Sequence, residues 1–395
     1  MSFTELELKD ICLDMHQGIN TVADKVEYRS KGIPIIQSKN ITSGYLDLDD
    51  VRYLDIDDYE KYKDKYNPNK GDILLCNIGT IGTSLVLKQD SKFLIAWNLF
   101  KLKIDTERFN PKYIKYYLDK LKLINYFDRL LTGGTVKFIN KTKMGQIRIP
   151  ICDIRKQDKI VSVLDKAQEL IDKRKEQIEA LDELVKSQFI EMFGDIKNNP
   201  IGWEKIKIGD VFEIKTGATP SRKENKYWDN GTIPWIKTTE LKEIVINNSE
   251  EYITEEGFNK SSVNLLPKNT LLIAMYGQGK TRGMTGKLGI EATTNQACAA
   301  ILPNPKENMD FIWYQLKLSY EDLRDLGRGG SQPNLNTNLI KSYQLIFPPM
   351  ELQNKFVQFT KQVDKLKFEM EKSLKELEDN FNSLIQKAFN GELFN

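Results

Sequence analysis

The sequence has little of the chemistry that most enzymes and secreted proteins need. It contains one histidine, His16, so a site built from several imidazoles is excluded, and we expect His16 to be a surface or partly buried residue. Its four cysteines lie far apart without a C-x-x-C pair, which indicates reduced thiols in a cytoplasm rather than a disulfide framework. No apolar run approaches the roughly 20 residues that cross a bilayer, and the start MSFTELELKD lacks the basic and apolar regions of a signal peptide. We therefore expect a cytoplasmic protein.

The overall charge also excludes little, because 58 basic and 56 acidic residues leave a net charge of +2. A length of 395 residues allows two or three domains, and 40% hydrophobic with 29% charged residues is ordinary for a globular protein. Basic residues nevertheless gather in short stretches such as SRKENK (221–226) and VKFINKTK (136–143).

The chain repeats itself at an offset close to 200 residues. GIPIIQSKNI (32–41) matches TIPWIKTTEL (232–241), YIKYYL (113–118) matches FIWYQL (311–316), and LTGGTVKFIN (131–140) matches GRGGSQPNLN (327–336). The common order and nearly constant offset of these pairs indicate an internal duplication.

A long heptad seam follows each half. In the first seam, mostly apolar residues recur at steps of four and three from Ile160 to Met192, and adding 196 to each position gives a second seam without a gap. Two unrelated amphipathic helices, each packed on its own domain, are the alternative. The residues predicted to pack are Ile160, Leu164, Ile171, Ile178, Leu181 and Val185 in the first helix, and Phe356, Val363, Met370, Leu374, Leu377, Phe381 and Leu384 in the second.

These repeats divide the chain into four segments: a mixed unit of strands and helices (1–150), a long helix (151–195), a second copy of the unit (196–348) and a second long helix (349–395). The predicted fold is α/β, in the α+β sense, with two similar globular units joined by two long antiparallel coiled-coil helices and related by a pseudo-two-fold axis. The second helix must run backwards along the first to pack its seam, over roughly 50 Å at about 1.5 Å per residue.

The stretch TLLIAMYGQGKTRGMTG (270–286) satisfies the loose form of a phosphate-binding loop. Such a loop must open a helix whose N-terminal amides face the phosphates, and the glycines at 283, 286 and 289 disfavour a helix here. The counterpart in the first half, DILLCNIGTIGTSLVL (72–87), has no lysine. We therefore predict a turn between two strands that happens to carry Lys280 and Arg282.

Methyl transfer also lacks its motifs. An adenine methyltransferase needs an [N/D]-P-P-[Y/F/W] loop, and FPPM (347–350) begins with Phe347 instead. No glycine-rich G-x-G-x-x-G segment follows a strand to hold a methyl donor. We predict no catalytic residue, no metal ligand and no cofactor in this chain.

Polar and basic residues suited to nucleic acid gather in the loops of both halves. Lysine and arginine contact phosphates, while asparagine, glutamine and arginine read base edges through paired hydrogen bonds. Ordinary polar loops of a soluble protein are the alternative. The candidates are Thr216, Thr219, Ser221, Arg222, Lys223, Lys237, Tyr276, Gln278, Lys280 and Arg282 in the second half, and Arg29, Lys31, Lys39, Asn40, Asn77, Thr80 and Lys137 in the first.

A family resemblance joins these observations. The segments WEKIKIGDVFEIKTGATPSRKENKYWDNGTIPWIKTTEL (203–241), LLIAMYGQGKTRGMTGKLGI (271–290), TTNQACAAI (293–301) and FPPMELQNKFVQF (347–359), in this order, resemble the specificity subunit of type I restriction–modification systems. The first half is a weaker copy, because it lacks the G-x-T-P-S-R stretch and reads HQGINTVADK (16–25) in its place.

The resemblance implies two target recognition domains, at 1–150 and 196–348, that read a bipartite asymmetric site on double-stranded DNA. It also implies that the helices are spacers on which two methyltransferase (M) subunits dock, with restriction/motor (R) subunits outside them; methyl donor, ATP and magnesium belong to those partners. Two alternatives stay open: a coiled-coil scaffold or adaptor that binds no DNA, and a P-loop NTPase that uses Lys280. Preference for one DNA sequence over scrambled duplex distinguishes the scaffold from the DNA reader.

Overall fold

The computed structural model describes residues 3–277, 279–327 and 334–394. Gln278 and most of the GRGGSQPNLN repeat (327–336) lie outside the described residues. The chain divides into two compact units, of which unit 1 is Met1–Glu176 with Glu371–Asn395, and unit 2 is Gln177–Met370. Among the described residues, no helix combines the length and apolar character needed to cross a membrane.

The strands of unit 1 are β1 (Thr4–Glu7), β2 (Cys12–Gln17), β3 (Ile33–Ile36), β4 (Arg52–Leu54), β5 (Ile73–Cys76), β6 (Ser84–Val86), β7 (Leu94–Ile95), β8 (Leu99–Ile104) and β9 (Arg148–Ile151). They form a four-stranded sheet in the order β2-β8-β5-β6, a three-stranded sheet in the order β4-β3-β7, and the pair β1-β9. The shorter helices of this unit are Leu8–Ile11, Ile56–Tyr66, Pro111–Leu123 and Lys141–Gly145, with 3₁₀ turns at Ser38–Ile41 and Tyr126–Leu130.

The strands of unit 2 are β10 (Lys205–Lys207), β11 (Ile214–Thr216), β12 (Ile233–Ile236), β13 (Val245–Ile246), β14 (Glu251–Ile253), β15 (Leu271–Ala274), β16 (Thr285–Leu288), β17 (Thr293–Thr294), β18 (Cys298–Ile301) and β19 (Gln344–Ile346). They form sheets in the orders β11-β18-β15-β16-β13 and β14-β12-β17, and the pair β10-β19. The shorter helices of this unit are Ile208–Val211, Glu255–Asn259, Met309–Leu318, Tyr320–Leu326 and Thr337–Ser342, with 3₁₀ turns at Asn225–Tyr227 and Thr238–Glu240.

The two sheet orders correspond strand for strand, which confirms the mixed α/β class and the internal repeat. Unit 2 adds strand β13 at one edge. The repeat also extends to local signals. Asn110 and Asn308 each precede the helix that follows β8 or β18, and each side chain accepts a hydrogen bond from a backbone N–H of the first turn. The same capping chemistry therefore begins the same helix in both units.

Two long helices, Ile154–Phe193 and Met350–Asn390, contribute to both units. In unit 1 the start of the first helix and the end of the second share a core, and Lys175 pairs with Glu378 at 3.1 Å. In unit 2 the end of the first helix and the start of the second share a core, and Lys367 pairs with Asp182 at 2.6 Å. Within each unit this pairing is the one expected of antiparallel helices.

Most predicted seam positions are covered. Ile160, Leu164, Ile171, Leu181, Val185, Phe356 and Val363 are buried, whereas Ile178, Met370, Leu374, Leu377, Phe381 and Leu384 are half-buried. Near the end of each helix, however, the buried aromatic and aliphatic residues are Phe189 and Phe193 in the first and Ile385 and Phe389 in the second.

The predicted positions there were Gln188 and Met192 in the first helix and Leu384 and Ala388 in the second, so the heptad pattern was one residue out at the end of both helices. A straight α-helix has 3.6 residues per turn and drifts by about 20° per heptad from a strict seven-residue repeat. After four heptads the accumulated drift approaches one residue position, and the core follows the straight helix. Ala388 remains buried beside Phe389 because it is small.

Candidate nucleic-acid interfaces

The strands of unit 2 end in a polar edge, here named the unit 2 tip. Strands β12 and β17 run parallel, so Lys237 and Gln296 follow neighbouring strands in the same direction. The hydroxyl of Thr219 donates to the side-chain oxygen of Gln296 at 2.5 Å. The backbone N–H of Met275 donates to the carbonyl of Ala297 at 2.8 Å, which places Tyr276 beside the same edge. The tip consists of Thr216, Thr219, Lys237, Tyr276 and Gln296.

Unit 1 forms the equivalent edge with different side chains, here named the unit 1 tip. Strands β3 and β7 are again parallel. The side-chain nitrogen of Gln17 donates to the carbonyl of Trp97 at 2.8 Å, and that of Asn98 donates to the hydroxyl of Ser38 at 2.9 Å. The indole of Trp97 is 43% exposed, which is unusual for a side chain of its size. The unit 1 tip consists of Gln17, Ser38, Trp97 and Asn98.

One glycine in each unit permits this convergence of strands. A Cβ on Gly217 would lie 1.9 Å from the carbonyl oxygen of Thr294, and a Cβ on Gly18 would lie 2.3 Å from that of Ile95. Thr294 lies in β17, which runs parallel to β12, and Ile95 lies in β7, which runs parallel to β3. The backbone at these two positions therefore approaches its neighbour more closely than any side chain allows.

Arg222, predicted to contact DNA, already has several partners within unit 2. Its guanidinium lies over the ring of Trp228 at 3.6 Å and that of Trp235 at 4.7 Å, and it pairs with the carboxylate of Glu251. The indole N–H of Trp228 donates to the carbonyl of Ser221 at 3.1 Å. These contacts hold the T-P-S-R segment against the three-stranded sheet, so a DNA contact by Arg222 stays a prediction beside this structural role.

Lys237 lies between two carboxylates. Its ammonium is 2.9 Å from both Glu250 and Glu251. The hydrogen bond to Glu251, followed by that to Glu250, raises the pKa of Lys237. Burial acts to raise the pKa of Glu251, but the hydrogen bonds from Arg222 and Lys237 act to lower it. The net result is a pKa of this carboxyl below its usual range. Lys237 is therefore charged but locally neutralised, and DNA phosphate would have to compete with two carboxylates for it.

The other predicted residues of unit 2 differ in exposure. Thr216, Thr219, Ser221, Lys223, Tyr276 and Lys280 are exposed, and Arg282 is half-buried. Within the described part of the chain, the ammonium groups of Lys223 and Lys280 lie near no carboxylate at ion-pair distance. Gln278 is outside the described residues. Of the predicted residues of unit 2, Lys223 and Lys280 therefore offer basic groups that lie beyond the tip.

The GQGKT stretch is a connection between two antiparallel strands. Strand β15 ends at Ala274, and the chain re-enters the same sheet as β16 at Thr285. Because the chain runs from Lys280 into strand β16 and not into a helix, the amides needed to cradle a nucleotide phosphate are not assembled in the way that a phosphate-binding loop requires. The interpretation as a strand–turn–strand connection is confirmed.

Two predicted DNA contacts of unit 1 were wrong, because their side chains are buried. Asn77 has no exposed surface, and its side-chain nitrogen donates to the carbonyl of Ile139 at 3.5 Å. Asn40 is 2% exposed; its side-chain oxygen accepts from the N–H of Gln37 at 3.0 Å and its nitrogen donates to the carbonyl of Asp50 at 3.2 Å. Both amides bind backbone groups of the protein, Asn40 in its own neighbourhood and Asn77 in a segment distant along the chain.

The remaining predicted residues of unit 1 are exposed, and several are already paired. Lys39 pairs with Asp50 at 2.5 Å, and Arg29 pairs with Glu27 at 3.1 Å. The hydroxyl of Thr80 donates to the thiol sulfur of Cys76 at 3.6 Å. Lys31 and Lys137 are exposed and, in the part of the chain that the structure describes, lie within ion-pair distance of no carboxylate.

His16 is half-buried, as expected, and lies 2.8 Å from a carboxylate oxygen of Asp14. Burial lowers the pKa of the imidazole, although Asp14 acts in the opposite direction. Among residues 3–277, 279–327 and 334–394, no three acidic, histidine or cysteine side chains cluster in a way that could hold a metal ion.

Sequence reasoning missed Gln296 in the unit 2 tip and all four members of the unit 1 tip, Gln17, Ser38, Trp97 and Asn98. Gln296 stands in TTNQACAAI, a segment noted above only for its resemblance. The available signal was position, since a polar or exposed aromatic residue directly after a short buried strand belongs to the edge where parallel strands end.

Comparison with known proteins identifies the fold. The family described as "Type I restriction modification DNA specificity domain" matches residues 2–181 and again residues 200–379. The chain is 24% identical over 271 residues to the EcoR124I/EcoR124II type I restriction enzyme specificity subunit of Escherichia coli, an alignment that covers 65% of this chain and only 63% of that relative. It is 22% identical over 378 residues to the MjaVIII specificity subunit of Methanocaldococcus jannaschii, covering 87% of this chain and 85% of the relative.

Two solved structures have the same fold. The type I restriction–modification S subunit of M. genitalium aligns with a TM-score of 0.52 at 16% identity, covering 98% of this chain and 96% of that one. A chain from a structure of type I R-M complex assembly and conformational transition aligns with a TM-score of 0.61 at 15% identity, covering 99% and 98%. The double match of the family model to most of the sequence confirms both the resemblance and the repeat, and the chain belongs to the family of type I restriction–modification DNA specificity domains.

Proposed function

We propose that this chain is the non-catalytic specificity subunit of a type I restriction–modification complex, acting in the cytoplasm on double-stranded DNA. Residues 1–150 of unit 1 and 196–348 of unit 2 are two target recognition domains, and each reads one half of a bipartite, asymmetric site through the major groove. The observation that carries this proposal is the pair of tips, which occupy equivalent strand ends but have different side chains. Equivalent scaffolds with unlike reading groups suit two different half-sites.

The chemistry of each tip supports base recognition. Gln296 offers an amide of the kind that pairs with adenine, although its oxygen is already bonded to Thr219. Tyr276 is 40% exposed beside it. The unit 1 tip presents the indole of Trp97, suited to apolar contact with a thymine methyl group, together with Gln17. Because neither tip is strongly basic, these residues are suited to direct contact with base edges rather than to binding phosphate.

Phosphate contacts come from the lysines outside the tips. Lys223 and Lys280 in unit 2, and Lys31 and Lys137 in unit 1, are exposed and available to neutralise DNA charge. Such contacts set affinity and register without reading sequence.

The long helices are proposed to dock the partners. Leu184, Ile190, Leu366 and Phe368 are large apolar side chains on these helices within unit 2 that remain more than 45% exposed, and Leu170 has the same character in unit 1. We assign this apolar surface to two methyltransferase subunits, with restriction/motor subunits added to the complex. Methyl donor, ATP and magnesium are assigned to those partners and not to this chain. The use of the helices as a spacer between half-sites stays a prediction.

The phosphate contact of Lys280 is directly testable. Replacing Lys280 with alanine should weaken DNA binding by about fivefold at moderate salt and reduce the slope of log affinity against log salt by about 0.9, because one phosphate contact is lost. Binding is measured by fluorescence anisotropy across a salt series. Lys306→Ala removes another exposed lysine, located beyond the opposite end of β18, and should change neither quantity. An unchanged slope for Lys280→Ala would remove this lysine from the interface.

The NTPase alternative predicts a different result for the same variant. We expect the purified chain to hydrolyse no ATP, because the loop around Lys280 joins two strands rather than opening a helix. We also expect it neither to methylate nor to cut DNA, because its sequence lacks the motifs that those reactions need. ATP hydrolysis that disappears in Lys280→Ala would contradict this proposal. The scaffold alternative is excluded once the chain prefers one DNA sequence over scrambled duplex of the same composition.

A further inference from the structure

The loop beyond the unit 2 tip is rich in glycine. It connects β15 to β16, and in it Gly277 and Gly279 have φ values of +145° and +59°. The connection is longer than in unit 1, since Thr285 pairs with a residue twelve positions before it, whereas Ser84 pairs with one nine positions before it. A glycine-rich connection of this length gains few hydrogen bonds from its own turns and needs external support to keep one conformation.

The helix Tyr320–Leu326 supplies that support. The phenol of Tyr320 donates to the carbonyl of Lys280 at 2.6 Å. The guanidinium of Arg324 donates through Nη1 to the carbonyls of Gly279 and Arg282 at 2.9 and 3.1 Å and to the oxygen of Tyr320 at 2.8 Å. The side chain of Arg324 is 19% exposed, so water competes little for these bonds. Three carbonyls of the loop are thus fixed by two side chains about 40 residues away.

Unit 1 supports its shorter loop from the corresponding place by different chemistry. The ammonium of Lys122 donates to the hydroxyl of Thr83 at 2.6 Å. The ring of Phe127 lies against Gly82, where a Cβ would come within 2.5 Å of it. Lys122 precedes Tyr320 by 198 positions, the same offset that relates YIKYYL to FIWYQL. Both units therefore support the loop that follows β5 or β15 from residues near the C-terminal end of the helix that follows β8 or β18: Lys122 lies in its last turn, and Tyr320 begins the next helix.

We propose that Arg324 and Tyr320 are positioning residues for DNA recognition by unit 2, and that Lys122 has this role in unit 1. This inference rests on the proposed function. The supporting residues act through the loop: they order its backbone before DNA arrives, so that Tyr276 and Lys280 meet the duplex without a further loss of loop entropy.

The first test follows loop order without DNA. Amide hydrogen exchange of the peptide covering 276–284 is measured by mass spectrometry in the full chain and in Tyr320→Phe, Arg324→Met and Arg324→Lys. We expect about fivefold faster exchange in Tyr320→Phe, which loses one hydrogen bond to the loop and the bond that its hydroxyl accepts from Arg324. We expect a larger increase in Arg324→Met, which loses two hydrogen bonds to the loop, and an intermediate value in Arg324→Lys. Unchanged exchange in both Tyr320→Phe and Arg324→Met would overturn the inference, whatever the chain binds.

The second test follows recognition. Binding sites for each full-chain variant are selected from duplex DNA randomised over both half-sites, and affinities for the selected site and a scrambled duplex are measured across a salt series. Arg324→Met and Tyr320→Phe should relax base preference in one half-site by about fivefold to tenfold per variant with an unchanged salt slope, whereas Lys122→Met should relax the other half-site. Partial rescue by Arg324→Lys is expected.

Three outcomes separate the possibilities. A salt slope reduced by about one in Arg324→Met but unchanged in Tyr320→Phe would mean that Arg324 itself contacts phosphate, which overturns its assignment as a positioning residue, because displacement of Lys280 with the loop would reduce the slope in both variants. Relaxation of both half-sites by each variant would overturn the assignment to separate units. A wild-type chain that exchanges slowly at 276–284 but binds all sequences equally would overturn the proposed function and the role in recognition while leaving the loop support in place. If Arg324→Met lowers the thermal unfolding midpoint, the test of the positioning role rests on Tyr320→Phe, because that variant removes only a hydroxyl group.

Discussion

Replacing Phe189 with alanine should lower the free energy of unfolding of unit 2 by about 3–5 kcal/mol. The Phe189 side chain has no exposed surface. Its ring centroid lies 5.0 Å from that of Phe193, 5.4 Å from Phe356, 5.9 Å from Phe311 and 6.0 Å from Tyr314, so the ring joins the long helices to the helix that follows β18. Truncation would leave a cavity among four aromatic rings, and rigid rings collapse poorly into empty space.

The measurement is equilibrium denaturation followed by tryptophan fluorescence. Four of the five tryptophans lie in unit 2, so the signal reports mainly on that unit. Ile190→Ala is the matched control, because Ile190 is the next residue on the same helix and its side chain is 48% exposed. This control should cost less than about 0.5 kcal/mol. Equal losses in the two variants would mean that the helix is rotated from the position described above.

The second large effect is expected from Gly217→Ala. A Cβ at this position would lie 1.9 Å from the carbonyl oxygen of Thr294 and 2.5 Å from that of Asn295. Both obstacles are backbone atoms, and the N–H of Ala218 donates to the same Thr294 oxygen at 2.9 Å. The strand cannot move away without losing that bond and the alignment of the unit 2 tip. We expect a loss of about 3 kcal/mol or more in the stability of unit 2 and the loss of base preference in one half-site.

The control for this variant is Gly134→Ala, since a Cβ on Gly134 meets no atom within 4 Å and its φ needs no glycine. This substitution should leave stability within about 0.5 kcal/mol of wild type. Gly18→Ala makes the equivalent change in unit 1, where the Cβ would meet the carbonyl of Ile95 at 2.3 Å. It should remove base preference in the opposite half-site. A Gly217→Ala protein with wild-type stability and selectivity would show that the strand approach at this glycine is not required.

Several features of this protein could be predicted from the sequence because they depend on neighbours along the chain. The heptad steps from Ile160 identified both long helices, since helical periodicity is visible in any run of residues on one face. The near-constant offset identified the repeat, and the capping asparagines at 110 and 308 occupy equivalent positions in it. The GQGKT stretch could be rejected as a nucleotide site because its glycines disfavour a helix, which is a local property.

Other features depended on contacts between distant segments, and only the tertiary structure decided them. Asn77 and Asn40 are polar residues in loops, and whether such amides face solvent or satisfy buried backbone groups depends on what packs over them. Arg222 met two tryptophans and Glu251, partners brought to it by a sheet. Near the end of the first long helix the core is reached by Phe189 rather than Gln188, because a helix with 3.6 residues per turn drifts from a strict seven-residue repeat.

The tips likewise combine a feature that could be predicted from the sequence with one that only the tertiary structure decided. The sequence alone determined that each half carries short buried strands followed by polar residues, and therefore that two similar surfaces with different side chains exist. Which side chains meet was decided by backbone pairing between distant segments. Thr219 and Gln296 are 77 positions apart and are brought together because the N–H of Ala218 donates to the carbonyl of Thr294. Hydrogen bonds between strands are made by the backbone, which is chemically the same at nearly every residue, so their partners are selected by packing of the whole unit.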